Sequence, residues 1–152
     1  ADDLERKIVG RPVEFQYTPS TESHTAQFDP LQIRRMFYNL LDNSLDAMPE
    51  GGTISLGTRV LGDEIEIRFS DTGSGISADR LKTVFDPFET SKPTGSGLGL
   101  YIVREIVLAH GGHVEIESQV DQGTTVLIRI PLSGPAGDGR LEPGEPEARE
   151  YV

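Results

Sequence analysis

Three polar side chains lie at helical spacing in the first third of the sequence. Asn39, Asn43 and Asp46 stand at i, i+4 and i+7, so they share one face of a predicted helix, beside its apolar stripe. Asparagine is a poor helix former that competes for backbone hydrogen bonds, so two of them carry a small local cost. They form either a solvated polar face or a site in which Asn43 gives a carbonyl oxygen to Mg²⁺, a metal that takes few protein ligands beside substrate phosphates.

A carboxylate and two glycines follow a strand that is predicted to be buried. In Asp71-Thr72-Gly73-Ser74-Gly75 the glycines let the backbone turn tightly and approach a ligand closely. The Asp71 carboxylate, at the strand end, can accept a hydrogen bond from an amino group. Taken singly, the segment also fits an ordinary turn.

A glycine cluster runs directly into a later predicted helix. Backbone N–H groups at the start of a helix bind phosphate, and glycines leave them unobstructed in Gly95-Ser96-Gly97-Leu98-Gly99-Leu100. Lys92, on the preceding loop, can add a positive charge. The alternative is a glycine-rich hinge. The P-loop pattern is absent, and Gly-x-Gly-x-Gly after a loop is not the dinucleotide-binding fingerprint, so both of those nucleotide folds are excluded.

The elements that position these residues follow from hydrophobic periodicity. Asp29-Pro30 provides a helix cap and a first-turn proline, and apolar residues recur at helical spacing from Ile33 to Met48. A short helix is expected after Ser77, and a second amphipathic one after Gly97. Alternation predicts strands at 13–17, 26–28, 53–61, 64–70, 113–118 and 124–130. The pattern predicts an α+β fold, a two-layer α/β sandwich in which about three helices cover one face of a mixed, mostly antiparallel sheet.

Composition limits the class of protein. The chain has 152 residues, so we expect one folded domain over residues 1–132 and a disordered acidic tail of Gly, Pro and Glu over 133–152. Its 25 acidic and 14 basic residues give a net charge of −11, which disfavours nonspecific nucleic-acid binding. Cysteine is absent, which excludes disulfides and thiol ligands, and no apolar run is long enough to span a membrane. We therefore expect a cytoplasmic location, without direct contact to nucleic acid or membrane.

Five short motifs, in this order, resemble those of the catalytic and ATP-binding domain of sensor histidine kinases. That domain belongs to the GHKL superfamily, which includes type II topoisomerases, heat-shock chaperones and MutL repair proteins. The resemblance covers residues 26–131 and implies the histidine kinase ATPase-domain fold. Residues 39–48 resemble the N box, 71–75 the first glycine box, 85–88 the F box, 95–100 the second glycine box and 123–125 the third.

The resemblance implies ATP and Mg²⁺ as cofactors and a role for each motif. Asp71 would receive the adenine amino group, Asn43 would hold Mg²⁺ in catalysis, and Asn39 would line the phosphate region. Lys92 resembles a catalytic lysine, in the lid loop of nitrogen-regulation-type kinases, that meets the γ-phosphate. The further ATP-binding positions implied are Gly73, Gly75, Ile76, Phe85, Gly95, Gly97, Leu98, Gly99, Leu100 and Thr124.

Two neighbouring residues depart from the resemblance. Many members have a lysine or arginine that contacts phosphate where this chain has Asp46, followed by an aromatic residue where it has Ala47. The charge is reversed, so no phosphate role passes to Asp46. The chain also lacks a phosphoacceptor, because none of its histidines is followed by the acidic residue and proline of the family pattern; each is expected to be structural or on the surface, at His24, His110 and His113.

The missing phosphoacceptor implies a catalytic domain that works with a partner. We expect it to donate the γ-phosphoryl group of ATP to a histidine on a separate dimerisation and phosphoacceptor domain, of the same or another chain, with a response regulator downstream. The fragment is expected to be a monomer, in the cytoplasm or on the cytoplasmic side of a membrane-bound sensor. The alternatives are an anti-sigma-type serine kinase of the same superfamily and a nucleotide-binding interaction module without transfer activity.

Overall fold

One mixed sheet with helices on one face makes up the described part of the chain. The computed structural model describes residue 8 and residues 10–22, 25–88 and 97–134. The elements are β1 (Val13–Thr18), α1 (Pro30–Ala47), β2 (Gly52–Leu61), β3 (Glu64–Asp71), α2 (Ala78–Leu81), α3 (Gly99–Ala109), β4 (His113–Gln119) and β5 (Gly123–Pro131). Among the described residues, no helix is both long and apolar enough to cross a membrane.

The strands follow one another across the sheet in the order β1-β2-β3-β5-β4. β1 pairs with β2 in parallel, and the other three pairs are antiparallel. The predicted α+β sandwich with a mixed, mostly antiparallel sheet is therefore confirmed. The hairpin between β2 and β3 turns at Gly62-Asp63 as predicted, with Leu61 opposite Glu64.

The prediction of a strand at 26–28 is wrong. These residues belong to no strand, although the Gln27 N–H donates to the Leu132 carbonyl at 3.0 Å. Two residues later, the Asp29 N–H donates at 3.0 Å to Nε2 of His110 rather than to a neighbouring strand. Because the chain turns at once into α1, a ladder cannot extend there.

Asp29 caps α1 as the sequence predicts. Its carboxylate accepts hydrogen bonds from the N–H groups of Leu31 and Gln32 at 2.9 and 3.1 Å, and Pro30 stands in the first turn. His110 is buried and supports this end from α3, since its Nδ1 lies 2.7 Å from the Ile106 carbonyl while Nε2 holds the Asp29 N–H. This contact gives His110 a structural role.

The core lies between the helices and one face of the sheet. In β3, Phe69 lies opposite Val126 of β5, and in β4 Ile116 lies opposite the same Val126, so one apolar row crosses three strands. A second row contains the buried Ile67 and Ile128. Each such side chain contributes roughly 1.5–3 kcal/mol on full burial. The helices cover these rows with Met36, Leu40, Leu45, Val103, Ile106 and Val107.

The other face of the sheet is polar. Arg59, Glu66 and Arg129 lie side by side on β2, β3 and β5, and the Glu66 carboxylate is buried beneath the two guanidinium groups. Arg59 Nε and Arg129 Nε both donate to it, the second at 2.8 Å. The hydrogen bond from Arg59 lowers the pKa of Glu66, burial opposes this, and Arg129 lowers it further. The hydrogen bond to Glu66 in turn raises the pKa of Arg129.

The predicted tail begins with two described residues. Residues 133 and 134 follow β5, and the Gly134 N–H donates to the Pro131 carbonyl at 3.2 Å. The rest of the predicted tail, residues 135–152, lies outside the described residues, as does His24.

Candidate functional site

The helix-facing side of the sheet changes from apolar to polar at one end. Asp71 lies opposite Thr124, and Thr124 lies opposite Ser118, so three strands present one polar row. The neighbouring row along the same strands is the apolar one that contains Phe69 and Val126. The polar row therefore forms a floor beneath the ends of the helices, at the border of the core.

Three segments of the chain hold the Asp71 carboxylate. Its Oδ2 accepts a hydrogen bond from the Ser44 hydroxyl of α1 at 2.7 Å. Its Oδ1 accepts from the backbone N–H groups of Gly73 at 2.9 Å and Thr124 at 3.3 Å. The carboxylate is therefore a hydrogen-bond acceptor whose orientation is fixed by α1, the glycine turn and β5 together.

Ser118 is a residue of this site that the sequence did not reveal. Its hydroxyl donates to the Gly123 carbonyl at 2.7 Å and accepts from the Ile76 N–H at 2.8 Å. Since its one proton is taken, the Thr124 hydroxyl, 2.9 Å away, donates to it. Ser118 thus ties the predicted binding residues Ile76 and Thr124 together. A lone serine in an alternating strand carries no signal, and only the pairing of β4 with β5 could have pointed to it.

The glycine turn packs against the end of α1. A Cβ at Gly73 would lie 2.6 Å from the Ala47 Cβ, and the Ser74 N–H donates to the Ala47 carbonyl at 2.9 Å. Gly75 has a φ of 68°, and a Cβ there would collide with the Gln119 carbonyl. Both glycines are therefore required by close backbone approach. Ala47, one of the two departures from the family pattern, is the small residue that the turn contacts.

Asn43 and Asn39 contact the start of α3. A Cβ at Gly99, the first residue of α3, would lie 3.1 Å from Asn43 Nδ2 and 3.6 Å from Asn39 Oδ1. Asn39 Nδ2 donates to the Arg35 carbonyl at 2.8 Å, which orients its amide. The N-cap of α3, Leu98, makes no side-chain cap hydrogen bond. The first turn of α3 thus lies beside the asparagine face of α1, and the N–H groups of a helix's first turn attract anions.

Phe88 and Gly97 stand side by side at the base of residues 89–96. The Phe88 N–H donates to the Gly97 carbonyl at 3.0 Å, and a Cβ at Gly97 would collide with the Phe88 backbone. Both residues have positive φ values, 69° and 68°. Phe85 is half-buried after α2, and Leu100 packs against the core. Lys92 and Gly95 lie outside the described residues, so their roles stay predictions.

Helix α1 contacts both the start of α3 and the polar row of the sheet. Asn43 faces Gly99 of α3, and the next residue, Ser44, bonds to Asp71. The described residues contain no group of three His, Asp or Glu side chains that could hold a metal. The Asn43 amide, with its carbonyl oxygen, is the side chain of α1 that lies nearest the start of α3.

Comparisons with known proteins show the family of this chain. Residues 28–134 match the family described as histidine kinase-, DNA gyrase B- and HSP90-like ATPases. Sporulation kinase D of Bacillus subtilis is 43% identical over 101 residues, which cover 66% of this chain and 20% of that protein. Sensor histidine kinase ZraS of Escherichia coli K12 is 33% identical over 81% of this chain and 26% of its own length. The chain thus spans only a fifth to a quarter of these relatives.

Solved structures show the same fold. The nucleotide-free catalytic domain of histidine kinase ThkA has a TM-score of 0.73 and 26% identity, with 87% of each chain covered. The mycobacterial sensor histidine kinase MprB has a TM-score of 0.69 and 30% identity, over 88% of this chain and 91% of that one. The matches support the histidine kinase interpretation rather than the serine kinase or the module without transfer activity.

Proposed function

Because the chain belongs to the family of histidine kinase-, DNA gyrase B- and HSP90-like ATPases, we propose that it is the ATP-binding catalytic domain of a sensor histidine kinase. It binds Mg-ATP and donates the γ-phosphoryl group to a histidine on a separate phosphoacceptor domain. The observation that carries the proposal is the double contact of α1, in which Asn43 meets Gly99 and Ser44 bonds to Asp71.

Adenine binds at the polar row. The Asp71 carboxylate is held from three sides and accepts a hydrogen bond from the 6-amino group of the base. Thr124 and Ile76, which Ser118 connects, close this side of the pocket. The base lies beside the glycine turn, which Gly73 and Gly75 hold close to Ala47 and Gln119.

The phosphates bind between α1 and α3. The first-turn N–H groups of α3 hold them, and Gly99 adds no side chain between this turn and Asn43. The Asn43 carbonyl holds Mg²⁺, which neutralises charge on the phosphate oxygens. Asn39 orients the phosphates from the same helix face. Lys92 and Gly95 are assigned to the phosphates by the family resemblance alone, and Phe85, Leu98 and Leu100 support the walls of this end.

Positioning is the main contribution of this domain to phosphoryl transfer. The histidine nitrogen of the partner attacks the γ-phosphorus, a nitrogen–phosphorus bond forms, and the bond to the β-γ bridging oxygen breaks to release ADP. Catalysis of this kind depends on alignment and charge neutralisation rather than on a protein nucleophile in the nucleotide site. His110 is occupied by its structural contacts, which is consistent with an acceptor on another domain.

The partners and the compartment follow from this reaction. The acceptor is a phosphoacceptor histidine domain of the same or another chain, and a response regulator receives the phosphoryl group from it. Since ATP is the substrate, we place the domain in the cytoplasm, free or as the cytoplasmic part of a membrane-bound sensor. Dimerisation belongs to the acceptor domain, so this chain alone is a monomer.

The test combines binding and transfer. Calorimetric titration of the chain with ATP, with and without Mg²⁺, is expected to show affinity in the micromolar range that depends on the metal, about −8 kcal/mol. ATP labelled at its γ-phosphate is then offered together with a phosphoacceptor histidine domain. The label is expected on that domain as phosphohistidine, which is acid-labile. Label on serine, or binding without transfer to any acceptor domain supplied, would contradict the proposal.

A further inference from the structure

The hydroxyl of Ser44 is buried inside the site and donates its proton in a hydrogen bond to Asp71. Ser44 is 3% exposed in the interior of α1, between the buried core residues Leu40 and Leu45. Its Oγ lies 2.7 Å from Asp71 Oδ2. A carboxylate only accepts hydrogen bonds, so the serine is the donor. A charge-assisted hydrogen bond of this length, here part-buried, is among the stronger ones in proteins.

The Asp71 carboxylate has few acceptor positions left for further hydrogen bonds. A carboxylate offers about four acceptor positions, two on each oxygen. From the described residues, Oδ1 receives two N–H groups, those of Gly73 and Thr124, and Oδ2 receives the Ser44 hydroxyl. One position on Oδ2 is therefore left for a ligand. Both oxygens are anchored, so the carboxylate cannot rotate without breaking a hydrogen bond.

We propose that Ser44 is a positioning residue that makes the site selective for the 6-amino group of adenine. The inference rests on the proposed function. Ser44 holds Oδ2 so that its one remaining acceptor position is set before the base arrives, which saves the cost of ordering it on binding. A base with a 6-oxo group would place its carbonyl oxygen, a hydrogen-bond acceptor, against Asp71 Oδ2, which is also an acceptor. The Ser44 proton cannot relieve this contact, because it is already donated to Asp71.

A purely structural role for Ser44 makes a different prediction. Removal of the Ser44 hydroxyl leaves Asp71 Oδ2 without this hydrogen bond, so a serine that served only the fold predicts a lower unfolding free energy in Ser44→Ala. Any effect through the fold would also act equally on all nucleotides. The readout that separates the two roles is therefore the ratio of affinities for two bases that differ only at position 6.

The experiment titrates the whole chain with Mg²⁺ and either ATP or purine riboside triphosphate, which is ATP without its 6-amino group. The variants are Ser44→Ala and, as a matched control, Ser70→Ala. Ser70 precedes Asp71 in β3, and its hydroxyl lies 3.0 Å from that of Thr125, one position away from the polar row. We expect Ser44→Ala to reduce the preference for ATP about tenfold and Ser70→Ala to leave it unchanged.

Each outcome decides the role of Ser44. An unchanged preference in Ser44→Ala, or an equal loss for both nucleotides, overturns it. If Ser44→Ala does not fold, Ser44→Cys replaces it, because the thiol is similar in size and a weak donor; its preference must fall as well, or the proposal is wrong. A wild-type chain that binds neither nucleotide contradicts the proposed function itself. If the wild type prefers ATP and both variants keep that preference, only the role given to Ser44 is contradicted.

Discussion

Gly99 leaves no room for a side chain beside Asn43, where α3 begins against α1. A Cβ added to Gly99 would lie 3.1 Å from Asn43 Nδ2 and 3.3 Å from Oδ1, closer than side chains normally pack. The start of one helix therefore faces the amide of the other. Because both belong to the proposed phosphate and Mg²⁺ end, changes at either residue test the same geometry from two sides.

Removal of the Asn43 amide should abolish the metal dependence of binding. Asn43→Ala deletes the proposed carbonyl ligand, so ATP affinity in Mg²⁺ should fall at least about tenfold, to the level measured without the metal. Titration with and without Mg²⁺ measures the difference, and thermal unfolding checks the fold. A variant that keeps its response to Mg²⁺ would refute the role given to Asn43.

An added methyl group at Gly99 should weaken binding without loss of stability. Gly99→Ala pushes the Asn43 amide by a few tenths of an ångström, and we expect ATP-Mg affinity to fall roughly threefold to tenfold. The φ of Gly99 is not positive, so the unfolding free energy should change little. Gly57→Ala is the matched control, since its Cβ would meet only the Thr18 carbonyl at 4.0 Å. Equal affinities in the two variants would count against this geometry.

Asp71→Asn should remove the selection of adenine over guanine. The asparagine can still accept the N–H groups of Gly73 and Thr124 through its oxygen, so the fold is expected to persist. Its NH₂ group then replaces Oδ2 and meets the 6-amino group as a second donor. Competition between ATP and GTP should show at least about a tenfold loss of selectivity. Asp79→Asn, on the exposed surface of α2, is the control, and a mutant at position 71 that selects ATP as the wild type does would exclude the assignment.

Acid should destabilise the fold through Glu66. Its folded-state pKa lies below the ordinary value of 4.5, first because of Arg59 and then Arg129. The ionised carboxylate therefore contributes its full stability above pH 4.5, and this contribution is lost as the pH falls through the lower folded-state pKa.

Glu66→Gln isolates this contribution. At pH 7 it should lower the unfolding free energy by about 1 kcal/mol, and the difference from wild type should shrink as the pH falls from 5 to 3. Thermal unfolding at several pH values measures both. Glu14→Gln, on the exposed edge strand β1, should change neither. A constant difference at all pH values would show that the carboxylate charge is not responsible.

Local signals in the sequence predicted most of the fold. The apolar spacing of α1, the Asp29 cap and the turn at Gly62-Asp63 depend on near neighbours, and all three are confirmed. The predicted strand at 26–28 is wrong because the chain turns into α1 directly afterwards, where His110, far along the chain, binds the Asp29 N–H. Alternation over three residues cannot reveal such a competing partner.

The site was predictable as a set of motifs but not as a set of contacts. Asn43, Gly99 and Asp71 are conspicuous by residue type, and the resemblance assigned them to one pocket. Ser44 and Ser118 were not, since a single serine in a helix or strand is unremarkable. Their hydrogen-bond partners Asp71 and Ile76 lie 27 and 42 residues away, so only the assembled sheet and α1 reveal them.

The hydrogen bond between Phe88 and Gly97 fixes the two positions between which residues 89–96 are placed. The Phe88 N–H and the Gly97 carbonyl close residues 89–96 at their base, and α3 begins directly afterwards. Insertions or deletions inside that segment leave both anchors in register, and doubling its length would add only about 0.6 kcal/mol of closure entropy. The start of α3 therefore stays anchored to residue 88 whatever number of residues the chain places between these two anchors.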